Sequence, residues 1–213
     1  MSQMYPSRKS EPRGLGAARL WIRLEGMASL YDHPTPDRFV VGTVGLPGER
    51  TFLLQAKSGN SLTTVVVEKE QVEILADRIT ELLDMVMVKD PAARVPQTAI
   101  DDRIDNAGLN VPIDPEFRVG TMSLGWDTVA HELVVECFEL TEEDAQAGTS
   151  ADPDDDAIER DVLRTVLDAA GAREFARRAE QVVSAGRGDC PFCSLPLEPD
   201  GHLCPRANGV ARA

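Results

Sequence analysis

Positive charge is in short supply in this sequence. Its 22 Lys and Arg stand against 36 Asp and Glu, which gives the 213-residue chain a formal net charge of −14. Nucleic-acid binding rests on cations that neutralise phosphates, so a chain this acidic would need a segregated basic patch. Nucleic acid is therefore not the expected partner. Long apolar runs are lacking too, and none approaches the roughly 20 residues that span a bilayer. No membrane role is expected. Near the N-terminus, Arg8, Lys9 and Arg13 precede no apolar stretch and no small-residue cleavage site, so a secretory signal is not read here. There are four cysteines and three histidines. That inventory fits a reducing compartment better than a disulfide framework, and the expected location is the cytoplasm.

Catalytic signatures are missing as well. His131-Glu132 would begin a zinc-protease motif only with a second histidine at 135, where valine stands. His131 is expected as an exposed strand residue. His33 sits in Tyr31-Asp-His-Pro, expected as a loop entering the first strand. The run Asp152-Pro-Asp-Asp-Asp156 is not a calcium loop, because Ala157 and Leu163 occupy the glycine and glutamate positions. Cys137 lies in an apolar strand and is expected in the core. No Ser-His-Asp spacing, phosphate loop or carboxylate dyad remains, so the expectation leans away from an enzyme.

What is present is concentrated in the tail, Cys190-Pro-Phe-Cys193-Ser-Leu-Pro-Leu-Glu-Pro-Asp-Gly-His202-Leu-Cys204. Two thiols at C-x2-C spacing are followed, after a proline-stiffened loop and an Asp-Gly turn, by His202 and Cys204. This Cys3His set predicts a closed structural zinc site, a zinc knuckle with Cys190, Cys193, His202 and Cys204 as ligands. A redox Cys-x-x-Cys is the competing reading, but Pro191 and Pro196 argue against the helix such a site opens. A catalytic zinc would follow if His202 did not ligate. Ser194 also departs from the glycine that commonly follows the second cysteine.

Between the termini the pattern is that of an α+β protein. Residues 1–26 are expected as a disordered extension or a mis-assigned start, with Met27 the natural one. Strands are predicted over 39–44, 51–56 and 62–68, joined by short turns into an antiparallel meander. From 70 to 88 the apolar period becomes helical, with Val72, Leu75, Ile79, Leu82, Leu83 and Val86 on one face. Residues 91–110 read as a linker. Phe117-Arg-Val-Gly-Thr121 then echoes Phe39-Val-Val-Gly-Thr43, a turn is placed at Gly125-Trp-Asp127, and strands are expected over 130–138 and 161–167. A helix over 170–184 shows Ala172, Phe175, Ala179 and Val182 on one face. Its Ala176-Arg-Arg178 matches Ala76-Asp-Arg78. The organisation predicted is one α+β domain over 27–186, with halves at about 37–90 and 112–186 and an acidic loop at 142–161. Residues 187–213 form the knuckle and tail. Internal duplication of the halves is left open.

The Asp37-Arg-Phe-Val-Val-Gly-Thr-Val-Gly opening, the Thr51-Phe-Leu-Leu-Gln-Ala segment and the Gly-His-Leu-Cys-Pro-Arg-Ala-Asn-Gly tail together resemble an actinobacterial family. That family is described as a domain of unknown function with a cysteine-rich C-terminus. The similarity covers about 27 to 213 and leaves residues 1–26 outside. It implies a protein partner, the phosphatase-like or kinase-like product of a neighbouring gene, and implies no particular activity. The function expected is a non-enzymatic binding or adaptor module stabilised by structural zinc. Two alternatives stay open. One is a hydrolytic or phosphate-related enzyme with a site between the halves, the other a nucleic-acid-associated zinc-knuckle protein.

Overall fold

The computed structural model describes residues 28–46, 49–147 and 160–185, with the side chains of 143, 145 and 147 excepted, together with Phe192, Cys193, Cys204 and Arg206. Its centre is a meander of β2 (Arg38–Val44), β3 (Thr51–Ser58) and β4 (Ser61–Val67), antiparallel in sequence order as expected. The β-branched and aromatic residues here alternate between faces, with Phe39, Val41, Leu54, Ala56 and Val65 buried in the main core. The β2–β3 turn is possible because Gly45 takes φ 99°, and a Cβ there would lie 2.6 Å from the Glu49 carbonyl oxygen.

Helix α1 (Lys69–Lys89) follows directly and buries Val72, Leu75, Ala76, Ile79, Leu83 and Val86, the face its period predicts. Its start is fixed by Gln71, whose side-chain oxygen accepts from the Glu68 N–H at 2.8 Å. It stops where Asp90 meets Pro91, which cannot continue the ladder.

The second half again sets three strands before a long helix, with a short helix between its second and third strands. β5 (Pro115–Asp127), β6 (Glu132–Glu139) and β7 (Val162–Asp168) are antiparallel neighbours, and α3 (Ala169–Ser184) follows. The Asp168 side chain caps α3 by accepting from the Gly171 N–H at 2.7 Å. Ala172, Phe175 and Ala179 are buried, and Val182 packs against the core. Each fully buried large side chain, such as Phe175 or Leu83, contributes about 1.5–3 kcal/mol by leaving water.

With β1 (Leu30–His33) at one edge, all seven strands form one mixed sheet in the order β1-β7-β6-β5-β4-β3-β2. β5 is the joint: its first residues run parallel to β4 through Arg118, and from Val119 onward it pairs with β6. The sheet is strongly curved. Edge strand β1 reaches back to β3 and β4 through His33, and its Tyr31 ring lies 6.1 Å from Phe117 of β5. On the other side α3, which follows β7, stacks Phe175 on Phe39 of β2 with centroids 4.7 Å apart.

Four expectations are corrected. The segment before Pro34 is not a loop: Leu30–His33 is strand β1, parallel to β7, from Leu30 opposite Val162 to His33 opposite Thr165. Four residues without alternation give no strand signal of their own, and the neighbour supplies the pairing. Gly125-Trp-Asp127 lies inside β5, and the turn comes at 128–131. There Asp127 accepts from the Val129 and Ala130 N–H groups, at 2.7 and 2.9 Å. His131 consequently sits in that turn at φ 57°, not in the strand. The acidic segment begins as a short helix, α2 (Glu142–Ala147), and its Asp144 is paired with Arg160 at 2.8 Å. The run at 152–156 lies outside the described residues.

Candidate functional site

Two places compete as the functional site, the cysteine tail and a cleft between the halves. In the tail, Phe192 and Cys193 form a turn and Cys193 is half-buried, while Cys204 is buried. Arg206 donates from Nη1 to the Phe192 carbonyl at 3.2 Å. That bond holds the chain two residues beyond Cys204 against the turn that carries Cys193. Cys190 and His202 lie outside the described residues. Among the described residues no group of three metal-ligating side chains forms.

The cleft has a volume of about 310 Å³ and draws its walls from both halves. One wall is the β1–β2 loop, the start of β2 and the chain at 103–105. The other is Glu132, the end of β7 and the first turns of α3. Arg38 pairs closely with the Asp105 carboxylate, and its Nη1 donates to Asn110 Oδ1 at 2.7 Å. Arg178 is buried, and donates from Nε to the Val41 carbonyl at 2.7 Å and from Nη2 to the Ala107 carbonyl at 2.8 Å. Glu174 accepts from the Asp105 N–H at 2.8 Å and holds Arg177 in an ion pair. Arg103 pairs with Asp168 at 3.0 Å, and Asp37 accepts from the Gly59 N–H at 2.6 Å.

These bonds clamp the 103–110 segment onto the edge of β2, whose outer carbonyls would otherwise lack donors. They also set the charge states. The hydrogen bond from Arg38 holds the Asp105 carboxyl below its ordinary value. Burial lowers Arg178 from its ordinary value, although a guanidinium remains charged at any physiological pH.

The remaining reactive residues are structural. Cys137 is in the core as expected, and burial pushes its thiol up to about 12, which removes it as a nucleophile. His33 is fully buried, with its two ring nitrogens 2.8 Å from Ser58 Oγ and 2.9 Å from Thr63 Oγ1. His131 has its Nδ1 3.2 Å from the Asp90 carboxylate. The arginine clamp escaped sequence reasoning. The local trace is the arginine-rich face of α3 (Arg173, Arg177, Arg178), and the partners of Arg178 lie 71 to 137 residues away.

A family model described as "Protein of unknown function (DUF3090)" matches residues 31–204. The chain belongs to the DUF3090 family. No curated protein and no solved structure matches it. The DUF3090 match takes in strands β2 to β7, all of β1 but Leu30, the arginine clamp and the cleft, and it ends on Cys204. Among the described residues, no helix of this DUF3090 protein is long and apolar enough to cross a membrane.

Proposed function

We propose that this DUF3090 chain is a non-enzymatic binding or adaptor module of the cytoplasm. Its tail is closed by a structural zinc held by Cys190, Cys193, His202 and Cys204. The observation that carries the reading is the bonding of the cleft. Arg38, Asp105, Glu174 and Arg178 are committed to one another or to backbone carbonyls and N–H groups, so they stiffen the fold and are not left to move protons. The partner is a protein, the phosphatase-like or kinase-like neighbouring gene product that the family resemblance implies. Nucleic acid is not the partner: the chain is strongly acidic, and Arg206 is occupied by the Phe192 carbonyl.

The tail fits zinc on two counts. Its donor set is soft and tetrahedral in number, and the Arg206–Phe192 bond brings the second arm against the first turn. Bound zinc would cross-link a segment too poor in apolar residues to order itself, and would hold the thiols as thiolates. On this reading residues 27–186 form the domain and 187–213 the knuckle. The two halves are also read as a duplicated unit. Each carries the Phe-x-Val-Gly-Thr stretch, and in each the glycine seats a leucine: Leu109 over Gly42 and Leu140 beside Gly120.

A second reading, a hydrolytic or phosphate-related enzyme, is favoured by the cleft volume and by Glu132. That cleft carboxylate makes no ion pair among the described residues. The test is light scattering of the purified chain with each neighbouring gene product, alongside an assay with p-nitrophenyl phosphate. A stoichiometric complex without turnover is the expected result. Turnover that falls in Glu132→Gln would overturn the adaptor reading in favour of the enzyme.

A further inference from the structure

We infer that the second half of β5, residues 122–126, is a docking edge for an extended basic segment of a partner protein, which adds to the sheet as a strand. The inference rests on the adaptor reading and gives it a place on the molecule.

β5 runs on for nine residues after Arg118, its last pairing with β4. On the far side β6 accompanies it to Asp127. On the near side, among the described residues, no strand takes the place that β4 leaves. At the point of departure Gln71 of α1 donates its side-chain amide to the carbonyls of Val119 and Gly120, at 3.2 and 3.0 Å. Backbone carbonyls at that bulge therefore face α1. Natural edge strands are usually blunted by charge, proline or a covering element. Here the sequence from Val119 to Trp126 carries no charge and no proline.

Beside this edge runs a groove of about 220 Å³, floored by Met122 and Leu124 and walled by Ile74, Leu75 and Arg78 of α1. Ile74 is 59% exposed, which is expensive for an isoleucine that nothing covers. Met122, Leu124 and Trp126 share the inward face of β5 and are only partly buried. Trp126 also buries its indole Nε1 with no acceptor among the described residues. An added strand gives main-chain hydrogen bonds along the edge and places alternate side chains in the groove.

Charge selects the occupant. Glu70, Asp77 and Glu81 are exposed and lie one helical turn from Ile74 or Arg78, and Arg78 is already paired with Glu81 at 2.7 Å. Glu136 of β6, opposite Ser123, is already engaged by the Ser123 hydroxyl at 2.9 Å and by Arg164 at 3.6 Å. The acids that face an incoming strand are therefore those of α1. A second copy of this chain, at a net charge of −14, would set these acids against themselves. A segment with apolar residues at alternate positions and Lys or Arg between them meets the edge, the groove and the rim together.

The probe is a nine-residue synthetic peptide alternating valine with lysine and arginine. It is compared with the same peptide N-methylated at alternate backbone nitrogens, and with a version carrying glutamate for the basic residues. Binding is read from tryptophan fluorescence in a Trp21→Phe background, where Trp126 is the remaining indole, and from amide hydrogen exchange. The basic peptide is expected to slow exchange within 122–126. The N-methylated and acidic peptides, and Ile74→Lys protein with the basic one, should bind at least tenfold more weakly. Equal binding of the N-methylated peptide, or binding that leaves exchange at 122–126 unchanged, overturns strand addition. Protection that appears without peptide as the chain dimerises overturns the choice of occupant. Peptide binding that behaves as expected, with no complex formed by either neighbouring gene product, would overturn the proposed partner and leave the docking edge standing. A complex that Ile74→Lys leaves intact, with no peptide binding, would overturn the edge alone.

Discussion

At the scale of single residues, the repeated glycine and the buried histidine show what the fold asks of particular side chains. A Cβ on Gly42 would lie 2.7 Å from Leu109 Cγ, well inside contact distance. Gly42→Ala should therefore cost about 1–2 kcal/mol by overpacking. Combining it with Leu109→Ala should destabilise by less than the sum of the two, with a coupling of at least about 0.5 kcal/mol in urea melts. Additive effects would mean that the leucine does not rest on the glycine. His33 makes a prediction about pH. Burial lowers its folded pKa from the ordinary value of 6.5, against an opposing pull from Asp32, so folding favours the neutral ring. Its contribution is complete above pH 6.5, is lost as pH falls from there through the lowered folded value, and is flat below it. Urea midpoints at pH 7.5 and 5.5 should fall more for the natural chain than for His33→Gln. Equal falls would show that His33 does not titrate on unfolding.

At the scale of elements, the division between legible and illegible follows sequence separation. The inward faces of α1 and α3 and the first meander were readable because their cause is local. Residues three and four apart share a helix face, and residues two apart share a strand face. Strand β1 was not readable, because its pairing is supplied by β7, 132 residues later. Nor was the sharing of β5 between two neighbours, which depends on where β4 ends. The clamp on the 103–110 segment was illegible for the same reason, since it joins residues with no local pattern. The Cys190, Cys193, His202 and Cys204 spacing is by contrast a local signal, whose outcome rests on the metal measurement below. Arg178 tests that clamp. Arg178→Met keeps the length of the side chain but takes the guanidinium donor from the carbonyls of Val41 and Asp105, while Ala107 keeps Arg38 Nη2 at 3.0 Å. A loss of about 3 kcal/mol is expected. Faster amide exchange should accompany it in 105–110, where α1 stays unchanged. A loss spread evenly over the molecule would mean that Arg178 supports the core at large and not the linker.

At the scale of the whole molecule, the sheet and its two long helices share one continuous core, whereas the tail is expected to draw its order from metal. These two sources of stability are separable. The core is held by burial spread over some two dozen apolar side chains and should not depend on any single ligand. A Cys3His zinc would instead concentrate the tail's folding energy in four bonds. Purified chain is therefore expected to carry one zinc by elemental analysis, and Cys193→Ser to carry much less. Chelation should remove a low-temperature step from the thermal melt while the main transition, set by the core, moves little. Hydrogen exchange should quicken around Cys193 and Cys204 and remain slow in β3 and α1. Should chelation instead lower the main transition as far as Cys193→Ser does, the tail would be bracing the domain. Protein that holds no zinc and melts alike in both forms would overturn the knuckle and return Cys190 and Cys193 to redox chemistry.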